Sequence, residues 1–183
     1  MEIRLASDLQ PDSIVDGPGI RTVIWTQGCS HNCEGCHNPT THDFQGGFSV
    51  SVDEVNKELD TLLGQQGITL SGGDPMFQAK TCAKIAKHAK ELGLNVWCYT
   101  GFTYEDVLKS KDMMELLKYV DVLVDGKFDI KEFSLNLDFR GSRNQRIIDV
   151  QKSLKEEKVV LIDKYMKERT HVIEVPRKKH VYI

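Results

Sequence analysis

The sequence predicts an α/β fold built on a parallel sheet, and three observations carry that prediction. Short β-branched or aromatic runs alternate with amphipathic stretches long enough to cross back over a sheet, the pattern of right-handed parallel crossovers. Four of those runs end in loops of unusual composition: 29–38, 72–75, 100–101 and 125–127. In a parallel sheet all four loops fall at the C-terminal ends of the strands, where such folds collect their chemistry. Motifs scattered at random would not share one rim.

The elements follow in order. Residues 21–27 (RTVIWTQ) are β-branched and aromatic and read as a buried strand running straight into Cys29. Residues 52–63 carry apolar side chains at helical spacing after Ser51, a predicted N-cap. A short strand over 67–70 ends at Ser71-Gly72-Gly73-Asp74-Pro75. The helix predicted over 76–92 has a small inner face, Ala79, Cys82, Ala83 and Ala86, and stops at Gly93. A strand over 94–99, a helix over 104–119 and a strand over 121–124 (DVLV) come next. Beyond Phe128 the pattern weakens to two short strands, 147–150 and 159–162, around a short helix at 151–158.

At 183 residues the chain suits a single domain, 1–183, whose last part from about 151 is a C-terminal extension ending in an appended strand or tail. Hydrophobic and charged contents of 40% and 28% are those of an ordinary soluble protein. A net charge of −3 gives no footing for nucleic acid, and Arg177-Lys178-Lys179 reads as a solvated surface cluster. No apolar stretch approaches the ~20 residues of a membrane span, and Met1-Glu2-Ile3-Arg4 does not open a signal peptide. The triplet Asn38-Pro39-Thr40 is closed to glycosylation by its proline. Five cysteines, three of them bunched, suit a reduced cytoplasmic protein with a metal site better than a disulfide framework.

Cys29, Cys33 and Cys36 are spaced C-x3-C-x2-C with no fourth cysteine nearby. A four-iron cluster takes four ligands, so three cysteines leave one iron open to something else. Tetrahedral zinc is the rival, with His31, His37 or His42 as fourth ligand, but zinc sites favour C-x2-C pairs across longer gaps. Cys82 lies on the small face of a helix and Cys98 within a strand, so both read as buried thiols rather than a second cluster. His88 sits among lysines on an exposed helix face, and Tyr99 and Thr100 end a strand at the rim.

The cysteine triplet after a first strand, followed by Gly72-Gly73-Asp74-Pro75, resembles the radical S-adenosylmethionine enzymes. The resemblance implies a partial, open β/α barrel. It also implies a [4Fe-4S] cluster on Cys29, Cys33 and Cys36, with S-adenosylmethionine chelating the fourth iron through its amino and carboxylate groups. One electron then splits the sulfonium to methionine and a 5′-deoxyadenosyl radical. On this reading Gly72, Gly73 and Asp74 receive the methionine ammonium, and Asp125, Gly126 and Lys127 contact the methionyl or ribose portion. Gly35, Cys36 and His37 lie by the adenine. Many members carry an aromatic residue before the third cysteine where this chain has Gly35, so the backbone and His37 must supply the adenine packing.

Asp16-Gly17-Pro18-Gly19-Ile20-Arg21 resembles an element of the glycyl-radical-enzyme activases, which implies a partner's glycine peptide held with Asp16 and Arg21 as anchors. Residues 139–146 (FRGSRNQR) behind 122–128 (VLVDGKF) narrow the resemblance to the activases of the anaerobic ribonucleoside-triphosphate reductase. That reductase is then the implied partner, with reduced flavodoxin or ferredoxin as electron donor and neither nucleic acid nor membrane involved. The alternatives are a pyruvate formate-lyase activase, a short radical enzyme acting on a small heterocycle, and a structural zinc-binding module.

Overall fold

The computed structural model describes residues 1–170, so the basic cluster at 177–179 lies outside the described residues. Its centre is a sheet of β1 (Glu2–Leu5), β2 (Gln10–Ser13), β3 (Arg21–Thr26), β4 (Phe48–Ser51), β5 (Gly67–Gly72), β6 (Asn95–Tyr99), β7 (Val122–Asp125) and β8 (Arg146–Asp149). The strand order is β4-β1-β3-β5-β6-β7-β8, with β2 also paired to β3. β3, β5, β6 and β7 run parallel, in register from Arg21↔Gly67 to Thr26↔Gly72 at the first pairing. β1, β2, β4 and β8 are antiparallel.

The four strands on which the parallel sheet was predicted do run parallel, and the antiparallel pairings are confined to the margins of the sheet. The reason lies in the connections. Residues 14–20 between β2 and β3 are too few for a crossover, which takes a dozen or more. Between β7 and β8 the chain is long enough, but residues 126–145 form only a single-turn 3-10 segment (Ile130–Glu132) and no crossover helix. The pairing path ends at β4 and β8, so no barrel is closed by these strands.

Helix α1 (Val52–Thr61) is capped as its sequence predicts: Ser51 accepts from the Glu54 N–H and the Glu54 side chain accepts from Ser51. The stretch before α2 (Ala79–Glu91) is a 3-10 turn, Pro75–Gln78, rather than the first turn of the helix. The helix expected over 104–119 is two, α3 (Tyr104–Val107) and α4 (Lys111–Leu117), because Ser110 accepts from the Met113 N–H and starts a new helix there. The chain continues through α5 (Val150–Glu156) and α6 (Asp163–Met166). Of the strand expected at 159–162 only one bridge, Ile148↔Leu161, is present. Among the described residues no helix is long and apolar enough to cross a membrane.

The two faces of the sheet are packed differently. One turns Ile24, Ile68, Leu70, Val96, Cys98 and Leu123 into the main core against α1, α2 and α4, where Cys82 and Cys98 are buried as predicted. The other carries a smaller core of Trp97, Val122, Val124 and Ile147, covered by Phe139, Ile162, Tyr165 and Met166. The Tyr165 ring stands 5.8 Å from Trp97 and 5.2 Å from Phe139. The start of the C-terminal extension is thus part of the fold, closing the lower half of the second face. The upper half stays open.

Candidate functional site

A cavity of about 460 Å³ occupies that open half, at the C-terminal ends of the parallel strands. Cys29, Cys33 and Cys36 all line it, together with Gly72, Gly73, Gly101 and Gly126 from the other three loops. A larger cavity of about 630 Å³ lies at the opposite ends of the strands, between Arg21, Asn95 and Tyr165, and holds none of the cysteines. Size does not choose between them, but the thiols do.

The cysteine loop owes its course to backbone bonds rather than regular structure. The Gly28 N–H donates to Thr41 O at 2.8 Å and the Cys29 N–H to His42 O at 3.1 Å. Gly35 adopts φ 72°, and an added Cβ would lie 3.0 Å from Ile130 Cδ1. A bulky residue there would need both a left-handed backbone and space that Ile130 occupies, so the departure at Gly35 has a local cause. Cys29 is buried and Cys33 and Cys36 are half-buried, all as free thiols. Burial pushes the Cys29 and Cys33 thiols up. Their thiolates therefore call for a positive centre in the cavity.

A bound group can be tested against this donor set. Among the described residues no three His, Cys, Asp or Glu side chains are gathered so as to hold a single ion. Three thiols spread around one roomy cavity fit a larger inorganic body, whose corners are ligated separately. They do not fit a preformed tetrahedral zinc site, which gathers its ligands within about 2.3 Å of one point.

Asp74 belongs to the wall behind the cavity rather than to its lining. It is 1% exposed and accepts four hydrogen bonds: from His31 Nε2 at 2.7 Å, Thr100 Oγ1 at 2.9 Å, and the N–H groups of Gly101 and Met76, each at 2.9 Å. One carboxyl thereby ties the cysteine loop, through His31, to the loops after β5 and β6. The His31 ring fits against Phe102 and Phe77, with centroids 4.6 and 5.5 Å away, and an added Cβ on Gly101 would strike it. Gly73 is crowded by backbone, its Cβ position falling 2.5 Å from Gly28 O and 2.8 Å from Thr41 O. Only glycine lets these strands of chain run so close.

Asp125 also faces away from the cavity. It is 1% exposed, accepts from the Tyr104 N–H at 2.7 Å and from Arg146 Nε at 2.9 Å, and makes a second contact with Arg146 Nη2. Gly126 follows at φ 93° and lines the cavity, while the Lys127 carbonyl accepts from Asn144 Nδ2 at 2.8 Å. His37 lines the cavity with Phe128, the rings 4.8 Å apart.

The two residues read as peptide anchors part company. Asp16 lines the cavity and accepts from Ser13 Oγ at 2.5 Å. Arg21 lies at the other end of β3, 1% exposed, donating to Thr69 Oγ1 at 2.8 Å, Ile68 O at 2.6 Å and Pro18 O at 3.2 Å, and stacked over Trp97. Burial lowers its pKa to about 10. Its bond to Pro18 and its packing beneath Gly17 hold the Asp16 loop in place from below.

Three further residues line the cavity, of which sequence reasoning gave Arg140 and Gln145 no individual role and named His42 only as a possible fourth ligand to zinc. Arg140 is buried and its guanidinium donates to Arg143 O, Gln145 O and Met166 O at 2.7–2.8 Å. Gln145 accepts from the Gly141 N–H and donates to Gly126 O, fixing the fourth loop. His42 Nε2 stands 3.3 Å from Cys36 Sγ. The 139–146 stretch stood out as a motif, but nothing in its spacing distinguishes Arg140 and Gln145 from Arg143 and Asn144.

Residues 15–148 match a family model described as a 4Fe-4S single cluster domain. The chain is 36% identical over 146 residues to the anaerobic ribonucleoside-triphosphate reductase-activating protein of Enterobacteria phage T4, covering 76% of this chain and 90% of that protein. It is 36% identical over 145 residues to the protein of the same name from Vibrio cholerae serotype O1, covering 75% and 92%. The Escherichia coli K12 protein of that name is 36% identical over 146 residues, covering 74% and 92%. Among solved structures, QueE from Escherichia coli is similar at a TM-score of 0.47 and 13% identity, over 56% of this chain and 54% of that one.

Proposed function

Since the chain belongs to the family of anaerobic ribonucleoside-triphosphate reductase-activating proteins, we propose that it places a glycyl radical on that reductase, using S-adenosylmethionine at a [4Fe-4S] cluster. The single observation that carries the reading is the convergence of Cys29, Cys33 and Cys36 with three glycine-bearing loops on one cavity. When bound, the cluster supplies the electron that splits the sulfonium into methionine and a 5′-deoxyadenosyl radical, which takes a hydrogen atom from the reductase glycine.

The chain's own residues hold and shield. Cys29, Cys33 and Cys36 ligate the cluster and leave one iron for the ligand. Gly72 and Gly73 leave no Cβ to strike the backbone of Thr26, Gly28 and Thr41, so their loop lies close against the cysteine loop and lines the cavity, while Gly126 presents open backbone to an amino-acid group. His37 and Phe128, their rings tilted by 51° to each other, give an aromatic wall for the adenine beside Gly35 and Cys36. Asp74 and Asp125 position the cofactor from behind, Asp74 by fixing His31 and Gly101, and Asp125 by fixing the chain at Gly126 and Lys127. Asp16 faces the arriving peptide while Arg21 braces its loop. No general base is required, since a carbon radical takes a hydrogen atom whole. The sheet is read as a partial β/α barrel curled around this cavity. Reduced flavodoxin or ferredoxin is the donor, and the cytoplasm the compartment.

The test is anaerobic reconstitution of the full chain. The reading expects about four irons and four sulfides per chain, 5′-deoxyadenosine on adding S-adenosylmethionine and dithionite, and a glycyl radical signal on the purified reductase. One zinc and no 5′-deoxyadenosine would overturn it, as would a radical formed only on pyruvate formate-lyase.

A further inference from the structure

We infer that His42 donates a hydrogen bond to the Cys36 sulfur and thereby raises the reduction potential of the cluster held there. The inference rests on the cluster reading above and concerns a residue outside the C-x3-C-x2-C spacing.

His42 touches two of the three cysteines. Its Nε2 lies 3.3 Å from Cys36 Sγ, and its carbonyl accepts the Cys29 N–H at 3.1 Å. Its position is fixed by the turn Pro39–Thr41, in which Thr41 Oγ1 donates to Asn38 O at 2.7 Å and the His42 N–H to Pro39 O at 3.3 Å. The side chain also lines the cavity.

A ligating thiolate has lone pairs and no proton, so the hydrogen between the two atoms must sit on nitrogen. Hydrogen bonds to the sulfurs are among the levers that set the potential of such clusters. Reduction adds a negative charge, and a donor at sulfur stabilises the more negative form. The contact therefore eases electron entry. The competing arrangement is ligation of iron by His42 itself.

The experiment compares the reconstituted native chain with His42→Phe and His42→Leu, which remove the donor, and His42→Gln, which keeps an N–H. Iron and sulfide are counted and the cluster is titrated by EPR against potential. In either donor-free variant the ratio of reduced to oxidised cluster at a fixed poise is expected to fall about tenfold, a displacement of about 59 mV to the negative for a one-electron couple. His42→Gln is expected to recover most of it. If neither donor-free variant retains iron while His42→Gln does, the requirement for a donor is likewise supported.

A donor-free variant with full iron that titrates with the native chain overturns the inference. So does a change at the iron that no cysteine holds in the Mössbauer spectrum, which would make His42 a ligand, and so does loss of iron from all three variants. Failure of the underlying reading looks different, because the native chain itself would then take up no four-iron cluster.

Discussion

Replacing Arg146 with alanine separates two accounts of Asp125. In the structure Asp125 is buried and holds two charged contacts from Arg146 and one backbone N–H from Tyr104. Arg146 also pairs with Glu105 at 2.7 Å, and the two carboxylates raise the Arg146 pKa, Asp125 first. Arg146→Ala leaves Asp125 with a single donor and no countercharge. Orphaning one member of a buried pair costs about 3–5 kcal/mol. The Arg146 side chain is 30% exposed, so water reaches the vacancy, and the Glu105 side adds only the worth of a surface pair. The lower end, about 3 kcal/mol, is therefore expected.

For a chain of this size that lowers Tm by roughly 6–12 °C. Thermal and urea unfolding of the metal-free chain measure it without any cofactor. The double variant Asp125→Ala/Arg146→Ala should be more stable than Arg146→Ala alone, because no charge is then left buried and unpaired. A Tm within about 2 °C of native for Arg146→Ala, with S-adenosylmethionine binding lost, would refute this reasoning. Asp125 would then reach into the cavity, as the resemblance implied.

Other expectations follow from burial and close approach. Burial pushes the Cys82 thiol up to about 12 and raises that of Cys98, against an ordinary value of 9.0. Between those limits the unfolded chain sheds protons that the folded chain keeps, so stability is intact below pH 9 and falls as pH rises. The slope is up to about 1.4 kcal/mol per pH unit for each thiol; Cys82→Ala should flatten it in urea titrations from pH 9 to 11, and an unchanged slope would count against the burial argument. Alkylation of the metal-free chain, followed by peptide mass spectrometry, should label half-buried Cys33 and Cys36 first and spare Cys82 and Cys98 until the chain unfolds. Gly73→Ala sets a methyl against the Gly28 and Thr41 carbonyls and should cost about 1–3 kcal/mol by urea unfolding. A native-like midpoint would mean that the cysteine loop yields easily.

The residues that make the rim were legible because their signals are local. C-x3-C-x2-C is a spacing, the glycines of 72–73 and 126 mark close approach, and the strands before them are dense in β-branched residues. What side chains do across the sheet was not legible. Asp74 and Asp125 read as ligand contacts, yet each accepts its hydrogen bonds from residues 21–43 positions away, apart from the Met76 N–H. Arg21 and Asp16 are five residues apart in a tight loop, but β3 carries Arg21 down while the loop turns Asp16 up. The break at Ser110 was missed because the apolar period runs through it, while a single hydroxyl decides the cap. The antiparallel margins depend on which edge each connection can reach, and composition does not encode that.

Met166 holds Arg140 through its carbonyl, and Tyr165 beside it covers Trp97 and Phe139. Every residue that lines the cavity lies at or before position 145. On the ribosome the thiols, the glycine loops and Arg140 itself emerge first, and the group that steadies this wall arrives about twenty residues later, at roughly 5–20 residues per second. Until then the guanidinium of Arg140 lacks one of its three acceptors, and the aromatic floor beneath the cavity is bare. The nascent chain thus has a timetable: the cysteines are displayed before the vessel that surrounds them is finished, and iron delivered to a partly made chain would meet thiols with no complete wall around them.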